Sequence, residues 1–411
     1  MRATTLLAQL LGEKALRATG FEFDEDRLVI DVQPRRRRAR CGGCGRYRHR
    51  IYDRRSRTWR DLDLGGLAVH LRYSIRRVRC PTCGVTTERV PWAEPDSGFT
   101  YAFEDRIGYL VQRTDRTTVS TLMRVAWRTV GRIVERVVAR VGPKDPLRNL
   151  KYIGVDELSY RRHHEYVTVV VDHVLGRVVW AARGKSADTL KAFFEDLGSE
   201  RAAQLRVVSM DMSAAYLKAV RDAAPHVEVV FDRFHVQRLA HDALDEVRRA
   251  QWREQRGTAA GQAIKHTRWA LQKNPWNLTQ RESERLSTLT NTNQKLYRAY
   301  LLKEALAGVL DRRQAGVARR KLEEWIAWAC RSKLRPFVKL SRTLRKYVDG
   351  IVAYVRTGIS NGPIEGLNGK MRVLTRRAYG FHSAESLIAL MKLCCGGIDL
   401  LPVFSYPKTS P

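Results

Sequence analysis

The chain has 411 residues, long enough for two or three domains with a substantial core. Its 75 Lys and Arg against 43 Asp and Glu leave a net charge of +32, far beyond what solubility requires. The simplest partner for such a charge is a polyanion, nucleic acid above all, although charge alone leaves open a merely cationic or ribosome-associated protein. No run of about 18 apolar residues offers a membrane span, and Met1 to Leu11 lacks the features of a secretory signal. The expectation is a soluble, intracellular protein. Seven cysteines in such a compartment favour metal over disulfides for the four that are paired in sequence.

A short amphipathic stretch opens the chain, and Phe21 to Val32 alternates like one strand. The run Arg35 to Arg38 follows directly; beside a metal module it reads as a phosphate contact rather than only a solvated face. Cys41-Gly-Gly-Cys44-Gly and Cys80-Pro-Thr-Cys83-Gly are two knuckles. In each, the glycine after the second cysteine permits the tight turn that points both thiolates at one ion, and two matched units predict a structural zinc. The segment between them reads as strands, including Leu67 to Val78 with its alternation of apolar and basic residues. These features define an expected zinc-binding module over residues 1–98.

Three helices are predicted next, Phe103 to Arg113, Thr117 to Met123 and Trp127 to Arg140. The third has an apolar stripe (Ile133, Val134, Val137, Val138) and a basic side with Arg124, Arg128, Arg132, Arg136 and Arg140. A short second helix before a basic third one predicts a helix-turn-helix over 99–146, with a plain three-helix connector as the competing reading. Arg128 and Arg132 are the candidate DNA contacts.

From Lys151 the periodicity changes. Tyr152 to Leu158, Tyr166 to Val174 and Arg177 to Ala182 read as successive strands, then helix and strand alternate through Ala187 to Leu197, Leu205 to Met210, Ser213 to Ala223 and Val227 to Phe231. That order predicts a mixed sheet with helices on its faces, an α/β domain whose first part covers 147–236. Asp156 falls within the first strand and Asp211 ends the fourth, and strand ends are where such sheets place chemistry. Residues 237–355 read as a long helical region, interrupted at Asn274-Pro275. Its tryptophans, Trp252, Trp269, Trp276, Trp325 and Trp328, are expected in the core rather than as base-stacking residues. Residues 356–400 return to the α/β domain. There Ser360 or Asn361 can cap a helix with Pro363 in its first turn, which puts Asn361, Glu365, Asn368 and Arg372 on one face. The tail after Leu401 is expected to be disordered.

Asp156 in Ile-Gly-Val-Asp-Glu, Asp211 in Ser-Met-Asp-Met-Ser-Ala-Ala-Tyr and Glu365 in Ser-Asn-Gly-Pro-Ile-Glu-Gly-Leu-Asn resemble the acidic triad of the DDE transposases of bacterial insertion sequences, specifically the ISL-three family. The likeness extends to Cys41, Cys44, Cys80 and Cys83, to Arg377-Ala-Tyr-Gly-Phe381, and to Asp232 and His235, which look like the family's D-x-x-H element. It implies a ribonuclease-H-like catalytic domain, interrupted by a helical insertion between the second aspartate and the glutamate. It also implies Mg²⁺ or Mn²⁺ on Asp156, Asp211 and Glu365, with Asp232 and His235 in support.

In-line attack on a phosphodiester needs an activated nucleophile and a stabilised leaving oxygen, which carboxylate-held divalent ions supply. The expected activity is therefore binding of terminal inverted repeats, cleavage at the element ends and joining of the 3′ ends to target DNA. The enzyme is expected as a homodimer or larger assembly on double-stranded DNA, associated with the nucleoid. Asn361, Asn368, Lys370 and Arg372 are expected to face the DNA backbone. A non-catalytic zinc and helix-turn-helix regulator, or a nuclease of the same fold without joining activity, are the alternatives.

Overall fold

A computed structural model of the chain describes residues 3–12, 15–161, 165–265, 267–359, 362–378, 381 and 383–401; the side chains of Ala8, Arg161 and residues 362–365 lie outside that description. The chain divides into two compact units, Met1–Gly142 with Lys392–Pro411, and Pro143–Met391.

In the first unit, α1 (Ala3–Leu10) precedes β1 (Leu16–Asp24) and β2 (Arg27–Pro34). The single strand expected over Phe21 to Val32 is thus a hairpin: the chain reverses at Glu25-Asp26, with Glu25 at φ 48°, and β1 pairs antiparallel with β2. A two-residue turn built without Gly or Asn leaves little trace in sequence. Two small strands, β3 (Ala39–Arg40) and β4 (Tyr47–Arg48), form a separate pair. The long β5 (Ile51–Arg60) and β6 (Ala68–Cys80) complete a sheet of order β1-β2-β6-β5, with β7 (Gly84–Thr87) added at the end of β6. Alternation sends Leu28, Ile30, Val32, Trp59, Val69, Leu71, Tyr73 and Ile75 into one core, where Trp59 and Tyr73 both meet the Trp92 ring edge-on.

Three helices follow, α2 (Tyr101–Val111), α3 (Arg116–Met123) and α4 (Trp127–Val141). Thr100 and Asp115 cap the first two by accepting from the Phe103 and Thr118 N–H groups. The sharp turn into α4 is made by Arg124 in the left-handed region and held by the Ser120 hydroxyl, which donates to the Val125 carbonyl at 2.6 Å.

The second unit is built on a sheet of β8 (Tyr152–Arg161), β9 (Glu165–Asp172), β10 (Arg177–Arg183), β11 (Val207–Met210) and β12 (Glu228–Phe231), in the order β10-β9-β8-β11-β12. The first three form an antiparallel meander, and β11 lies parallel to both β8 and β12. Helices α5 (Ala187–Leu197), α6 (Ser199–Ala202) and α7 (Ala214–Ala223) make the connections. Among the described residues further helices follow, interrupted by a 3₁₀ turn at Pro275–Asn277: α8 (Arg233–Glu254), α9 (Ala259–Ile264), α10 (Arg268–Gln272), α11 (Gln280–Thr292), α12 (Gln294–Leu310), α13 (Ala315–Arg331), α14 (Arg335–Lys346), α15 (Val348–Thr357) and α16 (Gly362–Arg377). Helix α17 (Ala384–Cys395) ends the regular structure.

The helical region shares one core with the sheet, from Val155 and Val208 through Leu244 and Leu302 to Trp325 and Phe337. Gly350 brings α15 onto β12: a Cβ there would stand 2.4 Å from the Phe231 ring. Of the five tryptophans expected in the core, Trp325 is buried and Trp328 packs against it, whereas Trp252, Trp269 and Trp276 are exposed. Arg256 and Arg268 lie over the Trp252 and Trp269 rings.

Candidate active site, metal centre and DNA-binding surfaces

The ladder between β8 and β11 pairs Tyr152 with Val207, Ile153 with Val208 and Gly154 with Ser209. Continued by two residues, this parallel register sets Asp156 beside Asp211. On the other side Met210 pairs with Phe231, so Asp232 falls next in the same row. Three acids widely separated in sequence thus cross the sheet side by side, two of them just past the last paired residue of a short strand. The alignment of Asp232 was not drawn from the sequence, though the strand lengths carry it.

Asp156 is half-buried. Its Oδ1 accepts from the Glu157 N–H at 2.7 Å, and its Oδ2 accepts from the Asn368 amide on α16. Burial pushes the carboxyl up to about 6; the Glu157 N–H opposes this, the charge of Asp211 adds to it, and Asn368 and Arg372 oppose it. Glu157 is also raised, by burial first and by Asp211, against Tyr216 and Lys185. Tyr216 in turn shares a 2.8 Å hydrogen bond with the Thr168 hydroxyl.

The Asp211 Oδ2 lies 2.9 Å from His235 Nδ1 and 3.7 Å from Arg238 Nη2. The same His235 nitrogen is 2.8 Å from Arg238 Nη2, so the tautomer decides whether it donates to the carboxylate or accepts from the guanidinium. Arg238, one helical turn past His235, was not singled out in the sequence, although the i,i+3 spacing carries the signal. Asp232 caps α8 by accepting from the Phe234 N–H at 3.2 Å.

Helix α16 therefore delivers Asn368 to Asp156, with Arg372 exposed one turn on. Lys370 is exposed and lies about 200° around the helix from Asn368, away from that face. Glu365 belongs to α16 by its backbone, but its side chain, like Asn361 as a whole, lies outside the described residues.

In the first unit Cys41, Cys44, Cys80 and Cys83 place their four sulfurs within 4.8 Å of one another. Tetrahedral thiolates on zinc, at about 2.3 Å from the metal, stand about 3.8 Å apart, so the donor set fits that ion. Gly45 and Gly84, each after the second cysteine of its knuckle, take φ of 70° and 71°. Gly43 is needed for closeness: a Cβ there would lie 2.8 Å from the Cys83 sulfur. Arg48 Nε donates to the Cys80 sulfur at 3.3 Å. The Thr82 hydroxyl first, then Arg48, draw the Cys80 thiol down to about 5.

On α4 the basic side divides. Arg136 pairs with Glu104 and Arg140 with Asp105, while Arg124, expected on the same side, lies in the turn before α4 and pairs with Asp63. Arg128 and Arg132 are exposed.

A mixed sheet with adjacent acids at parallel strand ends, a late helix returning to them, a four-cysteine module and a helix-turn-helix together define a DNA-processing enzyme of the DDE transposase class. Comparison with known proteins places it more closely. Residues 153–391 match the DDE family described as transposase, residues 88–138 the helix-turn-helix domain of transposase family ISL3, and residues 37–83 the zinc-finger of transposase IS204/IS1001/IS1096/IS1165. The chain belongs to the ISL3 family of insertion-sequence transposases. It is 41% identical to the transposase for insertion sequence element IS1557 of Mycobacterium tuberculosis, over 97% of this chain and 96% of that protein. It is 29% identical to the transposase for element IS1001 of Bordetella parapertussis, over 92% and 95% of the two chains. A DDE transposase binds DNA and acts with a divalent metal. Among the described residues no helix is long and apolar enough to cross a membrane.

Proposed function

We propose that the enzyme binds the terminal inverted repeats of its own element, cuts at the element ends and joins the 3′ ends to target DNA. Asp156, Asp211 and Glu365 hold Mg²⁺ or Mn²⁺ in this reading, and Cys41, Cys44, Cys80 and Cys83 hold a structural Zn²⁺. The observation that carries it is the register of β8 and β11, which aligns Asp156 with Asp211 while Asn368 and Arg372 reach the pair from α16. Position 365, one turn before Asn368, shares its helical face and supplies the third acid.

Bound divalent ions activate the attacking oxygen and stabilise the leaving one. The protein's own groups set up that chemistry. Burial first, and the neighbouring charge of Asp211, disfavour the charged form of Asp156, and a cation held there would favour it again. His235 and Arg238 engage the Oδ2 of Asp211 and would orient that carboxylate as a metal ligand. Arg372 offers a positive charge to the phosphate backbone beside the acids. In the first unit, Arg128 and Arg132 on α4 read the element end. The enzyme works as a homodimer or larger assembly on DNA at the nucleoid.

The test compares Asp156→Ala, Asp211→Ala and Glu365→Ala with the parent on a labelled duplex carrying the element end. Loss of cutting in Mg²⁺ with DNA binding retained is expected; variants that still cut would remove the triad assignment.

A further inference from the structure

The zinc module's sheet has two unlike faces. One is the apolar core; the other opens into a cleft of about 1010 Å³. Its floor is the polar side of β1, β2, β6 and β5, with Arg17, Gln33, Arg72, Ser74 and Arg54 among its lining, and Arg35, Arg36 and Arg37 form its rim. None of the matched families covers the β1–β2 hairpin that builds one wall, since the zinc-finger match begins at residue 37.

Charge in the cleft is unbalanced in a specific way. Arg72 is held by Asp31 at 2.7 Å and by Glu22 at 2.6 Å, and Arg76 is held by the buried Glu88 at 2.6 Å. These groups brace the sheet and add no positive charge: Glu88 balances Arg76, and the two carboxylates on Arg72 leave one negative charge. Arg17 meets the neutral Gln33 amide, Arg35 the Leu16 carbonyl and Arg36 the Tyr47 hydroxyl, and among the described residues none of the three has a carboxylate partner. Arg37 and Arg54 have no carboxylate partner among the described residues. Arg54 stands directly across from Arg76 in the β5–β6 ladder, where Glu88 is already committed to Arg76. Five uncompensated guanidinium groups on one open face are a liability without an anion.

The shape selects the anion. Three gaps of about 4.8 Å between four strands make a face about 14 Å across, comparable with the about 12 Å major groove of a duplex. The apolar lining is confined to Val32, Pro34 and Tyr73, too little to enclose a small organic ligand. A spaced row of guanidinium groups matches a row of phosphates.

We propose that this basic sheet face, with Arg17 on β1, Arg54 on β5 and Arg37 on the rim, is a duplex-DNA backbone clamp that contributes affinity without sequence preference. It rests on the reading that the first unit binds DNA, and assigns the sequence-independent part of that binding to the sheet rather than to α4. Phosphate contacts position a protein and do not specify sequence.

The test measures binding of the full chain to two duplexes, one carrying the element end and one of arbitrary sequence, across a salt series. The triple variant Arg17→Gln, Arg37→Gln, Arg54→Gln is compared with a charge-matched control, Lys295→Gln, Arg320→Gln, Lys321→Gln, whose three cations already face Glu254 or Glu324. Retained zinc content shows that the module stays folded. Losing three phosphate contacts lowers the salt slope by about 2.7, so from 50 to 200 mM salt the parent loses about 40-fold more affinity than the variant. The drop should be equal on both duplexes, leaving their affinity ratio unchanged. A salt slope equal to that of the control overturns the clamp, as does a drop confined to the element end. A parent that binds both duplexes equally removes end recognition instead, while the slope on arbitrary DNA still decides the clamp.

Discussion

Replacing Asp156 by Asn tests the resting state of the active site through its stability. The carboxyl rises from an ordinary 3.8 to about 6, chiefly because it is buried on β8 and further because Asp211 lies beside it. An acid raised in the folded state favours folding while it is protonated, and that advantage is lost as pH climbs from about 4 through about 6. The full loss corresponds to about 3 kcal/mol. Asn keeps the shape but has one acceptor oxygen where Asp156 uses two, so one of the bonds from the Glu157 N–H and the Asn368 amide is lost and the net gain is about 2 kcal/mol at pH 8. The assay is denaturant unfolding of the metal-free full chain in EDTA at pH 4.5 and pH 8, following the transition of the unit that contains the sheet. At pH 8 Asp156→Asn should be the more stable protein, and at pH 4.5 the difference should nearly vanish. Added Mg²⁺ should stabilise the parent and leave the variant unmoved. Equal stability at pH 8 without metal would refute the reasoning, because the carboxylate would then not be under the strain that a cation relieves.

Other consequences are equally direct. Metal analysis of the full chain should find one zinc, and Cys44→Ser should lose it together with the folding of the module, because the ion supplies folding energy to so small a unit. Arg128→Gln with Arg132→Gln should erase the preference for the element end over arbitrary duplex, read by competition binding; a retained preference would place recognition elsewhere. Gly350→Ala should cost about 1–3 kcal/mol in thermal unfolding, since its methyl would meet the Phe231 ring and the Val229 carbonyl on β12.

Much of this architecture is legible in the residues. The meander, the alternating helices and strands and the placing of Asp156 and Asp211 follow from periodicity, because a sheet buried on both faces writes its strands as continuous runs such as Val169-Val170-Val171. The duplicated knuckles are legible for a chemical reason: few other structures demand Cys-x-x-Cys-Gly twice. The hairpin at Glu25-Asp26 was hidden because its turn uses no Gly, and the flanking residues alternate through it as they would along one strand. Trp252, Trp269 and Trp276 were misplaced because composition says that tryptophan is apolar and says nothing of which helical face meets the core. The approach of Asn368 to Asp156 was foreshadowed by the shared face of α16, but which acid it meets depends on tertiary packing that no local pattern encodes. The same holds for the five guanidinium groups that lack a carboxylate among the described residues: arginines can be counted in the sequence, but which of them meet an acid cannot be read there.

In the proposed reaction Asp211 and its neighbours act as metal ligands during strand cleavage. Asp211→Cys on a labelled element-end duplex examines it most directly, because a thiolate takes Mn²⁺ more readily than the harder Mg²⁺. The variant should bind the duplex, fail to cut in Mg²⁺ and recover measurable cutting in Mn²⁺. Cutting in Mg²⁺ at the parental rate would contradict the account.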